Sequence, residues 1–246
     1  ARVELLVIPD SKEFPIAVET MLKVVNGKTH EICETHGKCG CLICKKLRTD
    51  SPTDTSVGAT YTFNINQVPL GTVVVIDSLT QFSNSATAWI TKGRADDYKL
   101  QFDDWGNLKT VVEKFLSQIQ VTNCDLVCIT HEEEVEFDDG KKKLVPVCGS
   151  SKSSRNTARY FDDIIYCEVK NKKHVAASST TYRNNILTGS RSDAVLEDGK
   201  DTLLSLFSKT ALNTNQPTVN KLTGEMVPKN TDTKAVGTSA NSSKTN

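Results

Sequence analysis

The longest apolar cluster of the sequence lies in residues 71–81, which read GTVVVIDSLTQ. A strand over 72–77 would be apolar on both faces, as central strands of parallel sheets are. Residues 124–130, CDLVCIT, predict a second strand of this kind. The segment between them, 103–120, carries an apolar stripe at helical spacing. Strand, helix and strand in this order predict an α/β layered fold.

Other segments carry patterns that complete the predicted element order. The apolar stripe of the long helix comprises Leu108, Val111, Val112, Phe115, Leu116 and Ile119. Shorter helices are expected over 14–25, 155–162 and 200–211. Strands are expected over 3–8, 59–66, 163–169 and 173–181, and a hairpin is expected over 132–147 with its turn at 138–140.

Composition limits the classes of protein that the chain can represent. The 246 residues contain 30 basic and 30 acidic side chains, so the formal net charge is zero. A histone-like protein and a protein with an acidic tail are thereby excluded for the chain as a whole. No run approaches the ~20 apolar residues of a membrane helix, so no membrane partner is expected. Residues 213–246 lack aromatic side chains and are rich in Thr, Asn, Ser and Lys, which predicts a disordered tail.

Polar residues follow each of the two apolar strands. The first strand ends in Asp77, and Ser78 comes next. A carboxylate at this end of a strand can hold Mg²⁺, usually through water, against nucleotide phosphates, and open parallel sheets bind ligands at that edge. Many buried strands end in aspartate without a metal, so both interpretations stay open. His131 follows the second strand and is either a polar group at the same edge or a surface histidine in a turn.

The order of these parts resembles the RecA-like AAA ATPases, and most closely the phage recombinases of the Sak type that act in single-strand annealing. The strand ending in Asp77 is similar to a Walker B element, and His131 stands where those enzymes place the residue that senses the γ-phosphate. The resemblance covers roughly residues 1–195 without the cysteine-rich segment. It includes VCGSSKSSRNTARYFDDIIYCEV at 147–169 and GSR at 189–191. It implies a RecA-like P-loop NTPase core with a mostly parallel sheet.

The same resemblance implies roles for further residues. Asp77 and Ser78 would bind Mg²⁺ and ATP, and Asp10 matches the acidic residue that activates the attacking water, with Glu13 in reserve. Basic residues on a late hairpin of such enzymes reach the nucleotide of a neighbouring subunit, which implies a homo-oligomeric ring or filament. The matching residues are Lys170, Lys172 and Lys173. A lysine run of this kind is also typical of a solvated turn.

One part of the family pattern is absent from the sequence. The Walker A loop, G-x-x-x-x-G-K-[ST], does not occur in residues 1–246. The tripeptide Gly27-Lys28-Thr29 has Leu22 at the position of the first glycine and follows a predicted helix, whereas a P-loop follows a strand. The resemblance therefore implies that the loop lies upstream of Ala1. We expect residues 1–246 by themselves to bind ATP weakly or not at all.

A basic segment indicates a nucleic-acid partner. Residues 141–174 contain seven Lys and two Arg against three acidic residues, and a local excess of this kind can neutralise phosphates. Residues 149–156 are expected to form a flexible loop in the place of the second DNA loop of RecA-like recombinases. Lys152, Arg155 and Arg159 are the candidate contacts to single-stranded DNA, read without base specificity. The alternative is an ordinary exposed loop.

Cysteine and histidine cluster near the start of the chain in a spacing that zinc prefers. Cys33-x-x-His36 and Cys41-x-x-Cys44 supply four ligands for a structural Zn²⁺, and Cys39 is a possible substitute for one of them. The alternative is a group of free reduced thiols on a loop. Clustered cysteines are not typical of a secreted disulfide framework. They favour a reduced, intracellular protein, located in the cytoplasm, or in the host cytoplasm if a phage encodes it.

Two functions follow from these observations. The first is an ATP-dependent single-stranded DNA-binding protein of phage recombination or replication, with ATP, Mg²⁺ and structural Zn²⁺ as cofactors. The second is a non-catalytic zinc-containing DNA-binding or scaffold protein on a degenerate P-loop fold. In both, residues 1–29 begin the RecA-like core and 30–50 form a zinc-binding insertion. Residues 51–212 complete the core, and 213–246 form the tail.

Overall fold

The computed structural model describes residues 4–54, 57–69, 71–178, 185–191, 196 and 201–202. These residues form five α-helices: α1 (Ile16–Val24), α2 (Leu42–Asp50), α3 (Leu79–Ile90), α4 (Phe102–Ile119) and α5 (Ser151–Asn156). They form eleven strands: β1 (His30–Cys33), β2 (Lys38–Cys39), β3 (Thr60–Phe63), β4 (Val73–Asp77), β5 (Asp125–Ile129), β6 (Glu132–Glu136), β7 (Lys142–Pro146), β8 (Asp163–Ile164), β9 (Tyr166–Lys170), β10 (Lys173–Ala177) and β11 (Gly189–Ser190).

The two predicted apolar strands, β4 and β5, pair in parallel. Their register runs from Val73 opposite Asp125 to Asp77 opposite Ile129, and α3 and α4 form the crossover between them. A crossover of this kind is what a parallel pair requires. The predicted strand–helix–strand unit and the α/β class are therefore confirmed.

The helical core lies on one face of this strand pair. The stacked rings of Phe82 and Phe115 join α3 to α4 with their centroids 4.2 Å apart. Ile76 of β4 is buried in the same cluster, and Leu126 and Cys128 of β5 pack against it. Burying an aromatic or aliphatic side chain of this kind contributes about 1.5–3 kcal/mol to stability. The predicted stripe of α4 is confirmed, since five of its members are buried and Val111 is partly buried.

The opposite face of the strand pair departs from the prediction. Val73 and Val75 are 41% and 56% exposed, and Val127 and Ile129 beside them are exposed to a similar degree. The sequence predicted burial on both faces because every position of the run is apolar. In the part of the chain that the structure describes, helices cover only one face of β4 and β5, so alternate side chains stay open to solvent.

A mostly parallel sheet was also predicted, and for the described residues this is wrong. Apart from β4 with β5, the strand pairs are antiparallel and arranged as β2-β1-β3, β6-β7, β9-β10 and β8-β11. Three of the pairs join neighbouring strands through short turns, which permit antiparallel pairing alone. The strand predicted over 3–8 does not form in residues 4–8, where Leu5 and Val7 are exposed and no strand pairs with them.

The amino-terminal segments build a small sheet beside the core. The predicted helix over 14–25 is confirmed as α1, which packs against α3 and β2. The strand predicted over 59–66 is shorter, β3, and it pairs with β1. This pairing joins the cysteine-rich segment and residues beyond position 50 in one sheet. Helix α2 lies between β2 and β3 in the sequence.

The later segments are hairpins around one short helix. The predicted turn at 138–140 connects β6 to β7, with Gly140 at a φ of 74°. The flexible loop predicted over 149–156 is wrong, because α5 occupies Ser151–Asn156 and a 3₁₀ turn continues to Tyr160. The helix predicted over 155–162 thus begins earlier in the chain.

Two expectations fall on parts of the chain that are not covered. The helix predicted over 200–211, apart from 201–202, and the tail predicted over 213–246 lie outside the described residues. Among the helices that the structure does describe, none combines the length and the apolar character needed to cross a lipid bilayer.

Candidate functional site

The carboxyl ends of β4 and β5 bring Asp77 and His131 to one edge of the strand pair. Asp77 is the last residue of β4 and lies opposite Ile129 in the register. His131 follows two residues later, at the point where β5 has ended. Both side chains are exposed at this edge. The sequence placed both residues at strand ends, and parallel pairing explains why the two ends meet.

Thr80 connects the two strand ends, and sequence analysis did not identify it. Its hydroxyl oxygen lies 3.2 Å from that of Thr130 and accepts a hydrogen bond from the His131 amide at 2.9 Å. Thr80 belongs to the first turn of α3, directly after β4. A hydroxyl residue shortly after an apolar strand that ends in aspartate is a signal that could have pointed to it.

Ser78 begins α3 rather than standing free at the edge. Its hydroxyl oxygen accepts a hydrogen bond from the Gln81 amide at 3.1 Å, which caps the helix. The peptide bond between Asp77 and Ser78 is cis. The cap fixes the direction in which the chain leaves β4, and so it fixes the position of the neighbouring carboxylate.

Asp10 lies on the other side of α3 and joins α3 to α1. Its carboxylate accepts hydrogen bonds from the Ala17 amide at 2.9 Å, the Ser85 hydroxyl at 3.0 Å and the Gln81 side-chain amide at 3.2 Å. A groove of about 330 Å³ adjoins it, lined also by Lys12 and the outer face of α3. Glu13, the reserve candidate, is exposed in the loop before α1. Gln81 therefore contacts Ser78 through its backbone amide and Asp10 through its side-chain amide.

The three candidate lysines of the late hairpin occupy a separate two-stranded sheet. Lys170 ends β9, Lys173 begins β10, and the turn between them holds Asn171 and Lys172. The turn residues have φ angles of 52° and 62°, the left-handed values that a tight hairpin requires. All three lysines are exposed. The hairpin predicted here is confirmed.

The three candidate DNA contacts share the outer side of α5 and the turn after it. Lys152 is exposed. The Arg155 guanidinium lies 3.2 Å from the Asp138 carboxylate, and that of Arg159 lies 3.4 Å from Glu113. The buried side of the helix carries serines and threonines instead. Of the three, only Lys152 lies at the surface without an acidic partner among the ion pairs of the described residues.

The charge of this region is balanced across the β6–β7 hairpin. Residues 141–174 carry an excess of six positive charges, and residues 132–140 carry six acidic side chains. The net charge of residues 132–174 is therefore zero. The structure pairs Lys142 with Glu134 at 3.1 Å and Lys141 with Asp139 at 3.1 Å. The count over residues 141–174 left out the preceding acidic residues, which lie next to these lysines in the folded hairpin.

The predicted zinc ligands lie together. Cys33, His36, Cys41 and Cys44 each offer one ligand atom, and these atoms lie within 4.8 Å of one another. The three cysteines are buried. Cys39, the possible substitute, is buried in the main apolar core and not in this group. A Cys₃His group of this geometry can hold a zinc ion.

A parallel strand pair in which one strand ends in a carboxylate and the neighbouring strand ends in a polar residue is typical of P-loop nucleotide-binding domains. A family model described as AAA domain matches residues 64–195, which are 132 of the 246 residues. The chain therefore belongs to the AAA domain family, and this membership indicates nucleotide binding and a nucleotide-dependent activity. No curated protein and no solved structure matches the chain significantly.

Proposed function

We propose that this protein is an ATP-dependent single-stranded DNA-binding protein of phage recombination or replication, which works as a homo-oligomeric ring or filament. The observation that carries the proposal is the meeting of Asp77 and His131 at one strand edge in an AAA domain. The Asp77 carboxylate is an oxygen ligand of the kind that Mg²⁺ prefers. His131, beside it, would contact the γ-phosphate and respond to its loss.

ATP itself needs groups that residues 1–246 do not contain. The sequence has no G-x-x-x-x-G-K-[ST] loop, and so it has neither the lysine nor the backbone cradle that hold the phosphates. Asp77 and His131 supply the metal side and the sensing side of the site. In the same proposal, Lys170, Lys172 and Lys173 reach the nucleotide of a neighbouring subunit.

Contacts behind His131 support a link between nucleotide and DNA. The Val147 amide donates to the His131 carbonyl at 2.9 Å, and the Thr130 hydroxyl donates to the Val147 carbonyl at 2.8 Å. Val147 leads directly into the segment that carries Lys152. The Gly149 amide then donates to Ser83 of α3 at 2.8 Å. A shift at the ends of β4 and β5 would therefore reach the start of α5 through residues 147–150.

Hydrolysis by the full-length gene product tests the nucleotide site. The Asp77→Asn variant should lose Mg²⁺-dependent ATP hydrolysis while its melting temperature stays within about 2 °C of the parent, because Asp77 is exposed. Asp125→Asn is the matched control, since Asp125 is an exposed aspartate at the opposite end of the same strand pair. An Asp77→Asn protein that hydrolyses ATP at the parent rate would exclude Asp77 from the site.

Binding of a fluorescein-labelled oligothymidine at several salt concentrations tests the DNA proposal. Lys152→Gln should weaken binding and reduce the salt slope by about 0.7, the amount expected for one lost phosphate contact. Lys92→Gln in the turn after α3 is the control and should leave the slope unchanged. Equal slopes in the two variants would remove Lys152 from the interface.

The second candidate is a non-catalytic DNA-binding or scaffold protein on a degenerate P-loop fold. The absence of the Walker A loop from residues 1–246 favours it. The two candidates separate in one measurement, because the second predicts salt-dependent DNA binding by a full-length product that hydrolyses no ATP. Addition of ATP and Mg²⁺ should then leave DNA affinity unchanged.

A further inference from the structure

We propose that Cys33, His36, Cys41 and Cys44 bind one structural Zn²⁺, and that this ion holds α2 to β1 and to the turn between β1 and β2. The four residues come from three different places in this small unit. Cys33 ends β1, His36 lies in the turn between β1 and β2, and Cys41 and Cys44 flank the first turn of α2. The matched AAA domain begins at residue 64, so the site lies outside it.

The distances within the group fit a tetrahedral ion. Zinc bonds of about 2.3 Å to sulfur and about 2.0 Å to nitrogen separate a tetrahedral sulfur–nitrogen pair by ~3.5 Å. The Nδ1 atom of His36 lies 3.1 Å from the Cys44 sulfur, 3.6 Å from the Cys41 sulfur and 3.9 Å from the Cys33 sulfur. These distances bracket the tetrahedral value, and all three thiols approach the same ring nitrogen.

The composition of the group favours zinc over harder cations. Three thiolates and one imidazole are soft and borderline ligands, which select zinc over Mg²⁺ or Ca²⁺. Four protein ligands fill the tetrahedral shell and leave no position for water or a substrate. The site is therefore structural and not catalytic.

The backbone around the group is shaped to wrap an ion. The Gly37 amide donates to the Cys33 carbonyl at 2.8 Å, which closes the turn that carries His36. Gly37 has a φ of +58°, and a Cβ atom there would lie 2.7 Å from the Cα of Ile8. Only glycine fits this combination of left-handed backbone and close approach. The same residue accepts a hydrogen bond from Thr20 of α1 at 2.7 Å, so the turn is tied to the core.

Helix α2 has little else to hold it against the sheet, whereas Ile32 of β1 and Cys39 of β2 are buried in the main core. The buried cluster that includes α2 consists of the three cysteines with Val57 packed against them. On α2, Leu42, Ile43 and Leu47 are exposed, and Cys44 is the only buried residue. A helix of nine residues with one buried side chain gains little from packing. Metal binding supplies folding free energy in small units of this kind.

Metal analysis of the full chain, purified without chelator, tests the proposal. Elemental analysis should give about one zinc per chain, and Co²⁺ exchanged into the site should produce the absorption bands of a tetrahedral thiolate site. After removal of the metal, amide hydrogen exchange should rise in β1, β2 and α2 and stay unchanged in α4. A chain that carries no zinc and gives no Co²⁺ spectrum would overturn the proposal, as would a disulfide among the three cysteines.

Variants test the ligand assignment. His36→Ala should lose the metal, whereas His36→Cys should keep it, because four thiolates also bind zinc tetrahedrally. Cys39→Ala should retain about one zinc per chain, since Cys39 packs in the main core. Cys167→Ser is a matched control at an exposed thiol far along the sequence. Metal loss in Cys39→Ala together with full retention in His36→Ala would refute the assignment.

Discussion

The hydroxyl oxygen of Thr80 lies 2.9 Å from the amide nitrogen of His131 and accepts its hydrogen. One side chain at the start of α3 thereby holds the end of the neighbouring strand β5. His131 thus owes its position beside Asp77 to α3 as well as to the strand register. His131 and Asp77 are therefore connected through the first turn of α3.

Replacing Thr80 with valine should loosen the end of β5. The variant keeps the side-chain shape and removes the acceptor, so we expect a loss of about 1 kcal/mol in the free energy of unfolding. Amide exchange should rise at residues 130–131 in particular. Thr110→Val is the control, because the Thr110 hydroxyl bonds only to the carbonyl of Gly106 in its own helix. Equal protection of residue 131 in both variants would contradict the role given to Thr80.

Two glycines should respond to alanine in opposite directions. Gly149 has a φ of +76°, and its Cβ would lie 3.0 Å from Val112, so Gly149→Ala should destabilise the chain by about 1–3 kcal/mol. Gly106 lies inside α4 with open space around it, so Gly106→Ala should stabilise the chain by about 0.5–1 kcal/mol. Urea unfolding of both variants measures the two effects, and an unchanged or increased stability of Gly149→Ala would show that the Gly149 turn is not constrained.

The central unit could be predicted from sequence because its signals are local. Apolar runs mark β4 and β5, and a stripe at helical spacing marks α4. The helix α3 escaped prediction because serine and threonine occupy much of it. The Ser83 and Thr87 hydroxyls donate hydrogen bonds to carbonyls four residues earlier within the helix. Serine and threonine have low helix propensity, so the sequence does not predict a helix here.

The remaining differences come from contacts between distant residues. Helix α5 is rich in serine and reads as a loop, yet its buried Ser154 accepts a hydrogen bond from the Cys148 amide at 3.1 Å. The spacing of the zinc ligands could be recognised in the sequence because it is local. The pairing of β1 with β3 could not, because it joins residues about thirty positions apart. The six acids of residues 132–140, on β6 and the turn after it, balance the basic excess of residues 141–174, and the pairing of β6 with β7 places Glu134 next to Lys142.

The start of α4 should make stability depend on acidic pH. Hydrogen bonds from the Tyr98 hydroxyl and then from the Gln101 amide lower the pKa of Asp104, a buried residue that completes the capping box. A depressed pKa in the folded state contributes stability above the unfolded pKa of about 3.9. That stability is lost as pH falls through the folded pKa.

Asp104→Asn should therefore be less stable than the parent at pH 7 and should lose less stability between pH 5 and 2. Urea unfolding across this range measures both effects. Asp103→Asn is the matched control in the same helical turn, because Asp103 is exposed and takes no part in the capping box. Parallel pH curves for the parent and Asp104→Asn would show that the capping carboxylate does not contribute.

The thiols of Cys148, which is buried, and Cys128, which is half-buried, should resist alkylation in the folded chain. Burial raises the pKa of Cys148 to about 11 and that of Cys128 to about 12. At pH 8 the thiolate fraction of Cys148 is then about one in a thousand, and the thiolate is the form that reacts. Cys167 is exposed, so a short pulse of iodoacetamide should label it well before the two core thiols.

Peptide mass spectrometry after such a pulse gives the rate for each cysteine separately. In 8 M urea, used as the control, all eight cysteines should react at similar rates, because unfolding removes burial. Labelling of Cys148 as fast as Cys167 in the folded chain would mean that the contact between α4 and the segment before α5 opens to solvent. The Cys33, Cys41 and Cys44 thiols should join the slow group with zinc bound and leave it when a chelator is added.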